Sequence, residues 1–155
     1  MPNTNWSKLS HLQLGRYAEY YAKMEFASYG YDVYTSEVDD HVVDFVARNP
    51  VDGQYYEIQV KSIRNWGYVF VPKDKMKISS TRLVFLLRFT DGNLPDCYVI
   101  PATAWAAPNA LLVDRNYEKP GQTGKPEWGI NVSKKNLLLL EPYREEQYFY
   151  SAKLR

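Results

Sequence analysis

The run Arg82 to Phe89 (RLVFLLRF) is the feature that most restricts the fold. Leu83 to Leu87 are consecutive apolar residues. A strand of this kind has no polar face to offer water and suits burial on both faces, as at the centre of a sheet covered above and below. The rest of the chain must therefore supply covering layers, not a single wet-faced hairpin sheet.

One such layer is legible near the start. Residues 10 to 29 read as a helix, with Ser10 able to accept an orphan backbone N–H and Gly30 able to take the left-handed conformation that ends it. At 100° per residue Gly15, Ala18, Ala22, Phe26 and Tyr29 share one side, and the small residues among them allow close approach to a sheet. Glu19 falls on the edge of that side, where a carboxylate needs a reason. Three strand-like runs follow: Tyr31 to Ser36, His41 to Arg48 and Tyr55 to Ile63. The turns between them are Glu37 to Asp40 and the stronger Asn49-Pro50-Val51-Asp52-Gly53. Consecutive and closely linked, they read as an antiparallel meander. Tyr68 to Val71 is a further short strand, Lys73 to Ser80 a Lys-rich stretch of one or two helical turns, Asp96 to Ile100 another strand. Residues 102 to 127 read as an irregular surface excursion, Trp128 to Ser133 as a last strand and Arg144 to Leu154 as a closing helix. The order gives an α/β domain with a mixed sheet.

Composition narrows the function classes. The chain has 155 residues, one domain's worth, with 45% hydrophobic and 24% charged residues. We read one domain over 1–155, its core about 10–101 and a C-terminal strand and helix added over 102–155. A net charge of +1 excludes polyanion binding by bulk charge but leaves room for a local basic patch. The single cysteine, Cys97, excludes an internal disulfide and a Cys-based zinc cage. Cys97 itself reads as a core residue, and a reducing cytoplasm fits. The first residues (MPNTNWSKLSHLQLG) lack the apolar run of a signal peptide, and no stretch reaches the roughly 18 apolar residues of a membrane helix.

The chemistry concentrates on two strands. Side chains alternate along a strand, so Tyr55, Glu57, Gln59 and Lys61 share one face, while Tyr56, Ile58, Val60 and Ser62 form a mostly apolar face suited to the core. On the preceding strand Asp44 interrupts an apolar run (Val42-Val43-Asp44-Phe45-Val46), against β propensity. A turn centred near residue 51 or 52 sets Asp44 across from the region of Gln59. Mg²⁺ takes one or two carboxylates together with waters and phosphate oxygens. Asp44 and Gln59 offer a carboxylate and a carbonyl oxygen, Glu57 a second carboxylate farther along, and Glu19 a helix carboxylate. Lys61 is placed to orient or deprotonate a water, or to stabilise charge on a phosphate. The bland alternative is a buried Asp44 satisfied by backbone N–H groups with Lys61 as its ion-pair partner.

An acid on the second strand followed by Gln59-Val60-Lys61 on the third resembles the PD-(D/E)XK nuclease superfamily. Leu14-Gly15-Arg16-Tyr17-Ala18-Glu19, followed by Gly30-Tyr31-Asp32-Val33, resembles its Holliday-junction-resolvase-like branch, in which a Gly-x-x-Ala-Glu helix precedes a Gly and the first strand. Ile58-Gln59-Val60-Lys61-Ser62 is similar to the IQVKS stretch of a related bacterial family of uncharacterised function. The resemblance spans residues 14 to about 72. It implies a restriction-endonuclease-like αβββαβ core, Mg²⁺-dependent phosphodiester hydrolysis with Mn²⁺ able to substitute, DNA as partner and a homodimer as a plausible assembly. It assigns Asp44, Gln59 and Lys61 to the active centre, with Glu19 as the helix acid. Two departures stand out: Val43 precedes Asp44 in place of proline, and Gln59 replaces the usual carboxylate, which removes one negative charge from a metal site.

Around this centre, Lys73, Lys75 and Lys77 and also Arg64 are candidates for phosphate contact, and Trp66 for base stacking. Their alternatives are a solvated face for the lysines, an edge-strand position for Arg64 and a core position for Trp66. Gly121-Gln122-Thr123-Gly124-Lys125-Pro126 lacks the spacing of a phosphate loop. His11 and His41 are too few and too poorly placed for zinc. The leading expectation is a Mg²⁺-dependent deoxyribonuclease. The alternative is a catalytically degenerate module of the same fold that binds nucleic acid or a protein.

Overall fold

In the computed structural model, residues 1–37 and 43–153 are described. Val38 to Asp40 of the expected first turn, His41 and Val42 of the expected second strand, and Leu154 lie outside them.

Helix α1 (His11–Ser28) starts in a full capping box: Ser10 Oγ accepts from the Gln13 N–H at 3.2 Å, and the Gln13 side chain accepts from the Ser10 N–H at 2.9 Å. It ends at Gly30, whose φ of +88° is the left-handed conformation that only glycine adopts without strain. Its buried stripe is Leu14, Ala18, Ala22 and Phe26. Gly15, expected in that stripe, lies one position around the helix from Leu14 and is only partly buried.

The chain then forms β1 (Asp32–Tyr34), β2 (Phe45–Arg48) and β3 (Tyr55–Arg64), paired as an antiparallel meander. Strand β4 (Gly67–Pro72) leaves this sheet. A turn at residues 73–75 and an extended stretch lead into β5 (Arg82–Phe89), which returns parallel to β3. No helix forms over Lys73 to Ser80; Met76 is buried in the core, Lys73 is partly buried, and Lys75 and Lys77 are exposed. The link between the two parallel strands therefore runs through β4, where the resemblance implies a helix. Strand β6 (Asp96–Pro101) pairs antiparallel with β5 and completes a mixed five-stranded sheet of order β1-β2-β3-β5-β6.

The region expected to be irregular contains structure. A short 3-10 turn (Ala102–Ala106) buries Trp105, and β7 (Leu112–Arg115) pairs with β8 (Glu127–Val132). With β4 these form a second sheet of order β4-β8-β7. Helices α2 (Leu137–Leu140) and α3 (Glu145–Lys153) close the chain.

Strand β5 is covered on both sides, as its sequence demands. Leu83, Phe85, Leu87 and Phe89 pack with α1 and with Phe149 of α3; Val84 and Leu86 pack with the second sheet through Val71, Leu112, Ile130 and Val132. Cys97 is buried in the first of these cores. No helix among the described residues is long and apolar enough to cross a membrane.

Candidate active site

Strand β2 pairs with β3 in the register Phe45↔Ile58, Val46↔Glu57. Continued by one residue, that register sets Asp44 opposite Gln59. Asp44 ends the regular ladder and holds β3 twice. Its N–H donates to the Ile58 carbonyl at 2.9 Å, and its carboxylate Oδ2 accepts from the Val60 N–H at 2.6 Å. The carboxylate thus takes the place of a ladder carbonyl, which explains an Asp within an apolar strand sequence.

On β3, Ile58 joins the core under α1 while Ile63 joins the core under the second sheet. Gln59 and Lys61 share the parity of Ile63, so they lie on the sheet face away from α1, and both are partly buried. Gln59 Oε1 is buried and has no hydrogen-bond partner among the described residues. Burial pushes the Lys61 ammonium below the ordinary lysine pKa; the Asp44 charge works against this shift and Lys75 adds to it. Asp44, Gln59, Lys61 and Lys75 therefore form one neighbourhood.

Other residues singled out from the sequence are engaged elsewhere. Glu57 pairs with Arg82 Nε at 2.5 Å, across the parallel register that aligns Glu57 with Arg82. Glu19 stays on α1, 3.5 Å from Lys23 Nζ and 4.0 Å from Arg16. Among the described residues no three His, Cys, Asp or Glu side chains gather in a group able to hold a metal. Lys77 is exposed.

Two of the expected phosphate contacts have partners within the protein. Arg64 points to the N-terminal segment, its Nη2 donating to the carbonyls of Trp6 (3.1 Å) and Leu9. Lys73 is bound to Asp114 and, at 2.6 Å, to Asn116 Oδ1, with its ammonium 4.1 Å from the centre of the Trp128 ring. Both cations meet acceptors that lie far away in sequence. Trp66 is 41% exposed and carries the Arg88 guanidinium 4.0 Å from its ring centre.

Arg82 is a residue that sequence reasoning missed. Besides Glu57 it binds the Lys75 carbonyl at 2.7 Å and so fixes the loop that brings Lys75 toward Lys61. Its only sequence signal is a cation heading an apolar run, and the parallel register that gives it a partner is not readable from local spacing.

The residues present fit a divalent cation of the Mg²⁺ kind. Asp44 supplies a charged oxygen, and the orphaned Gln59 Oε1 is a buried hard donor in want of a partner. With one carboxylate in place among the described residues, further coordination positions fall to water and phosphate oxygens.

No protein-family profile matches the chain, and no curated protein does. Solved structures do. The Holliday junction resolvase Hjc from the archaeal hyperthermophile Archaeoglobus fulgidus superposes with a TM-score of 0.54 at 14% identity, over 88% of this chain and 95% of its own. The bacterial homing endonuclease I-Ssp6803I superposes with a TM-score of 0.53 at 19% identity, over 93% of this chain and 94% of its own.

The fold is that of the restriction-endonuclease-like nucleases. In this chain the crossover between the parallel strands β3 and β5 runs through β4, which enters the second sheet.

Proposed function

We propose that the chain is a divalent-metal-dependent endonuclease that hydrolyses phosphodiester bonds in DNA. One observation carries the reading. An orphaned, buried Gln59 oxygen lies across the strand register from Asp44, beside a lysine whose charge is disfavoured by burial. A structural ion pair explains Asp44 and Lys61 but leaves Gln59 Oε1 without a purpose.

Asp44 and Gln59 would hold Mg²⁺ or Mn²⁺, which would polarise a phosphate oxygen and acidify a bound water. Lys61 Nζ, with its lowered pKa, takes up a proton from the attacking water or donates hydrogen bonds to the phosphate oxygens. Lys75 adds positive charge on the substrate side. Asp44 also fixes the position of Gln59 and Lys61, because its bond to Val60 clamps the backbone between them. The Gly15-x-x-Ala18-Glu19 helix and the Ile58 to Ser62 run support a place near the Holliday-junction-resolvase-like branch. A cytoplasmic homodimer with one centre per DNA strand belongs to the same reading.

A second reading is a nuclease fold that binds without cutting. It is favoured by the ion pairs that occupy Glu19 and Glu57. Labelled duplex, single-stranded and four-way-junction DNA, incubated with Mg²⁺ or Mn²⁺, separates the two. The endonuclease cuts at least one substrate and loses cutting in EDTA, in Asp44→Asn and in Lys61→Ala. Absence of cutting together with a flat Mn²⁺ titration calorimetry trace establishes the binding module. Cutting that survives both substitutions refutes the site.

A further inference from the structure

The second sheet has an outer face that the candidate active site does not use. The register Tyr68↔Asn131, Phe70↔Gly129, Val113↔Gly129 and Arg115↔Glu127 places these residues on one side, opposite the buried Val71, Leu112, Ile130 and Val132. We infer that this face is a stacking platform for unpaired nucleobases and binds single-stranded nucleic acid; the inference rests on the nuclease reading for its biological sense, though not for its test.

The face is built to hold aromatic rings flat. A β-carbon added at Gly129 would lie 2.1 Å from Tyr68 Oη, so the glycine leaves the space in which the Tyr68 ring lies down across the sheet. The ring is fixed by its hydroxyl, which donates to Glu127 Oε2, and Glu127 also accepts from the Tyr117 hydroxyl at 2.8 Å. Phe70 lies nearly parallel to Tyr68, 23° between planes and 6.2 Å between centres, and is 46% exposed. The Arg115 guanidinium sits 4.8 Å from the Tyr68 ring centre. Planar rings and a guanidinium are the surfaces on which proteins stack splayed bases.

Charge and spacing select the occupant. Arg115 is exposed, whereas Glu127 is 4% exposed and accepts from two hydroxyls, so among the described residues of this face the cation is presented and the anion is not. That suits a phosphate backbone. With 6.2 Å between ring centres, Tyr68 lying against Gly129 and the Arg115 guanidinium over it, the ring open to a splayed base is Phe70. A duplex keeps its base faces stacked inside and has none to offer.

The test is fluorescence anisotropy with fluorescein-labelled oligo(dT), oligo(rU) and a hairpin duplex, in EDTA so that binding is read without cleavage. Wild-type protein and Phe70→Ala, Phe70→Trp and Arg115→Gln are compared, each checked by circular dichroism. We expect Phe70→Ala to weaken single-strand binding about tenfold, the scale of one lost base stack, and Phe70→Trp to retain it. Arg115→Gln should weaken it and lower the salt slope by about one. The two oligonucleotides report whether the platform takes DNA, RNA or both. The inference is overturned if wild type does not bind single strands, if Phe70→Ala and Arg115→Gln bind like wild type, or if their loss is equal on the duplex. It is also overturned if Phe70→Ala changes the oligomeric mass, which would make the face a contact between copies. Failure here leaves the nuclease reading standing where Asp44-dependent cutting is seen, and failure of cutting leaves an Arg115- and Phe70-dependent binding signal intact.

Discussion

Asp44 brackets Gln59 on the neighbouring strand: its backbone N–H bonds Ile58 on one side and its carboxylate bonds Val60 on the other. The same carboxylate therefore serves strand pairing and the candidate chemistry, and substitutions separate the two. Asp44→Asn keeps an oxygen for the Val60 N–H, so its urea midpoint should stay within about 0.5 kcal/mol of wild type while cleavage falls at least about a hundredfold. Asp44→Ala leaves the Val60 donor unpaired and should cost a further ~1–3 kcal/mol in the same titration.

Gln59→Glu restores a second carboxylate beside Asp44. Without metal, two like charges face each other across the strands, and thermal stability at pH 7 should drop by about 0.5–1 kcal/mol. Mn²⁺ binding by calorimetry should tighten at least tenfold, and saturating Mn²⁺ should restore the lost Tm. A variant that loses stability and gains no affinity would place the metal elsewhere.

Arg64 holds the chain's first turn. Removing its guanidinium in Arg64→Ala leaves the Leu9 carbonyl without its side-chain donor, leaves the Trp6 carbonyl with the Leu9 N–H alone, and loosens Trp6, which packs 4.9 Å from both Tyr17 and Phe89. Chemical denaturation should show a loss of about 2–3 kcal/mol, and nucleic-acid affinity should be unchanged in the protein that remains folded. A selective loss of affinity would return Arg64 to the substrate.

Glu145 of α3 is pushed up to about 9 from its ordinary 4.5, first by burial, then by a hydrogen bond with Glu25 of α1 and by that residue's charge. A carboxyl with a raised folded pKa binds its proton more tightly folded than unfolded. Its contribution is therefore fully present below pH 4.5 and is lost as pH rises through about 9. Urea midpoints measured from pH 5 to pH 9 should fall with rising pH. Glu145→Gln, which keeps a neutral hydrogen-bonding group, should flatten that dependence. An equal slope in wild type and variant would assign the effect to other groups.

The sequence was most legible where contacts are local. Ser10, Gly30 and the turn at Asn49 to Gly53 mark their own boundaries, and the turn alone set Asp44 opposite Gln59. The second sheet was not legible, because β4 finds its partner in β8, where Gly67 pairs with Val132 across the whole intervening chain. The Tyr68 to Val71 run signalled a strand without saying which strand it would join. The same distance hid the acceptors of Arg64 and Lys73, whose charges looked free because Leu9 and Asp114 are remote in sequence. The ion pair of Glu57 was hidden for a related reason: its partner Arg82 arrives through a parallel pairing, which no turn announces.

The threading of β4 also sets an order of events during synthesis. A nascent chain that has emerged as far as Pro101 possesses every strand of the first sheet, with Asp44, Gln59 and Lys61 already in it. Its β4, however, still lacks the hydrogen-bonding neighbour that arrives only at Glu127–Val132. Until then the loop carrying Lys75 is tethered to an unpaired strand. Formation of the candidate centre is thereby tied to synthesis at least as far as Val132, and a fragment ending at residue 101 should behave as an open, aggregation-prone precursor rather than as a smaller working version of the protein.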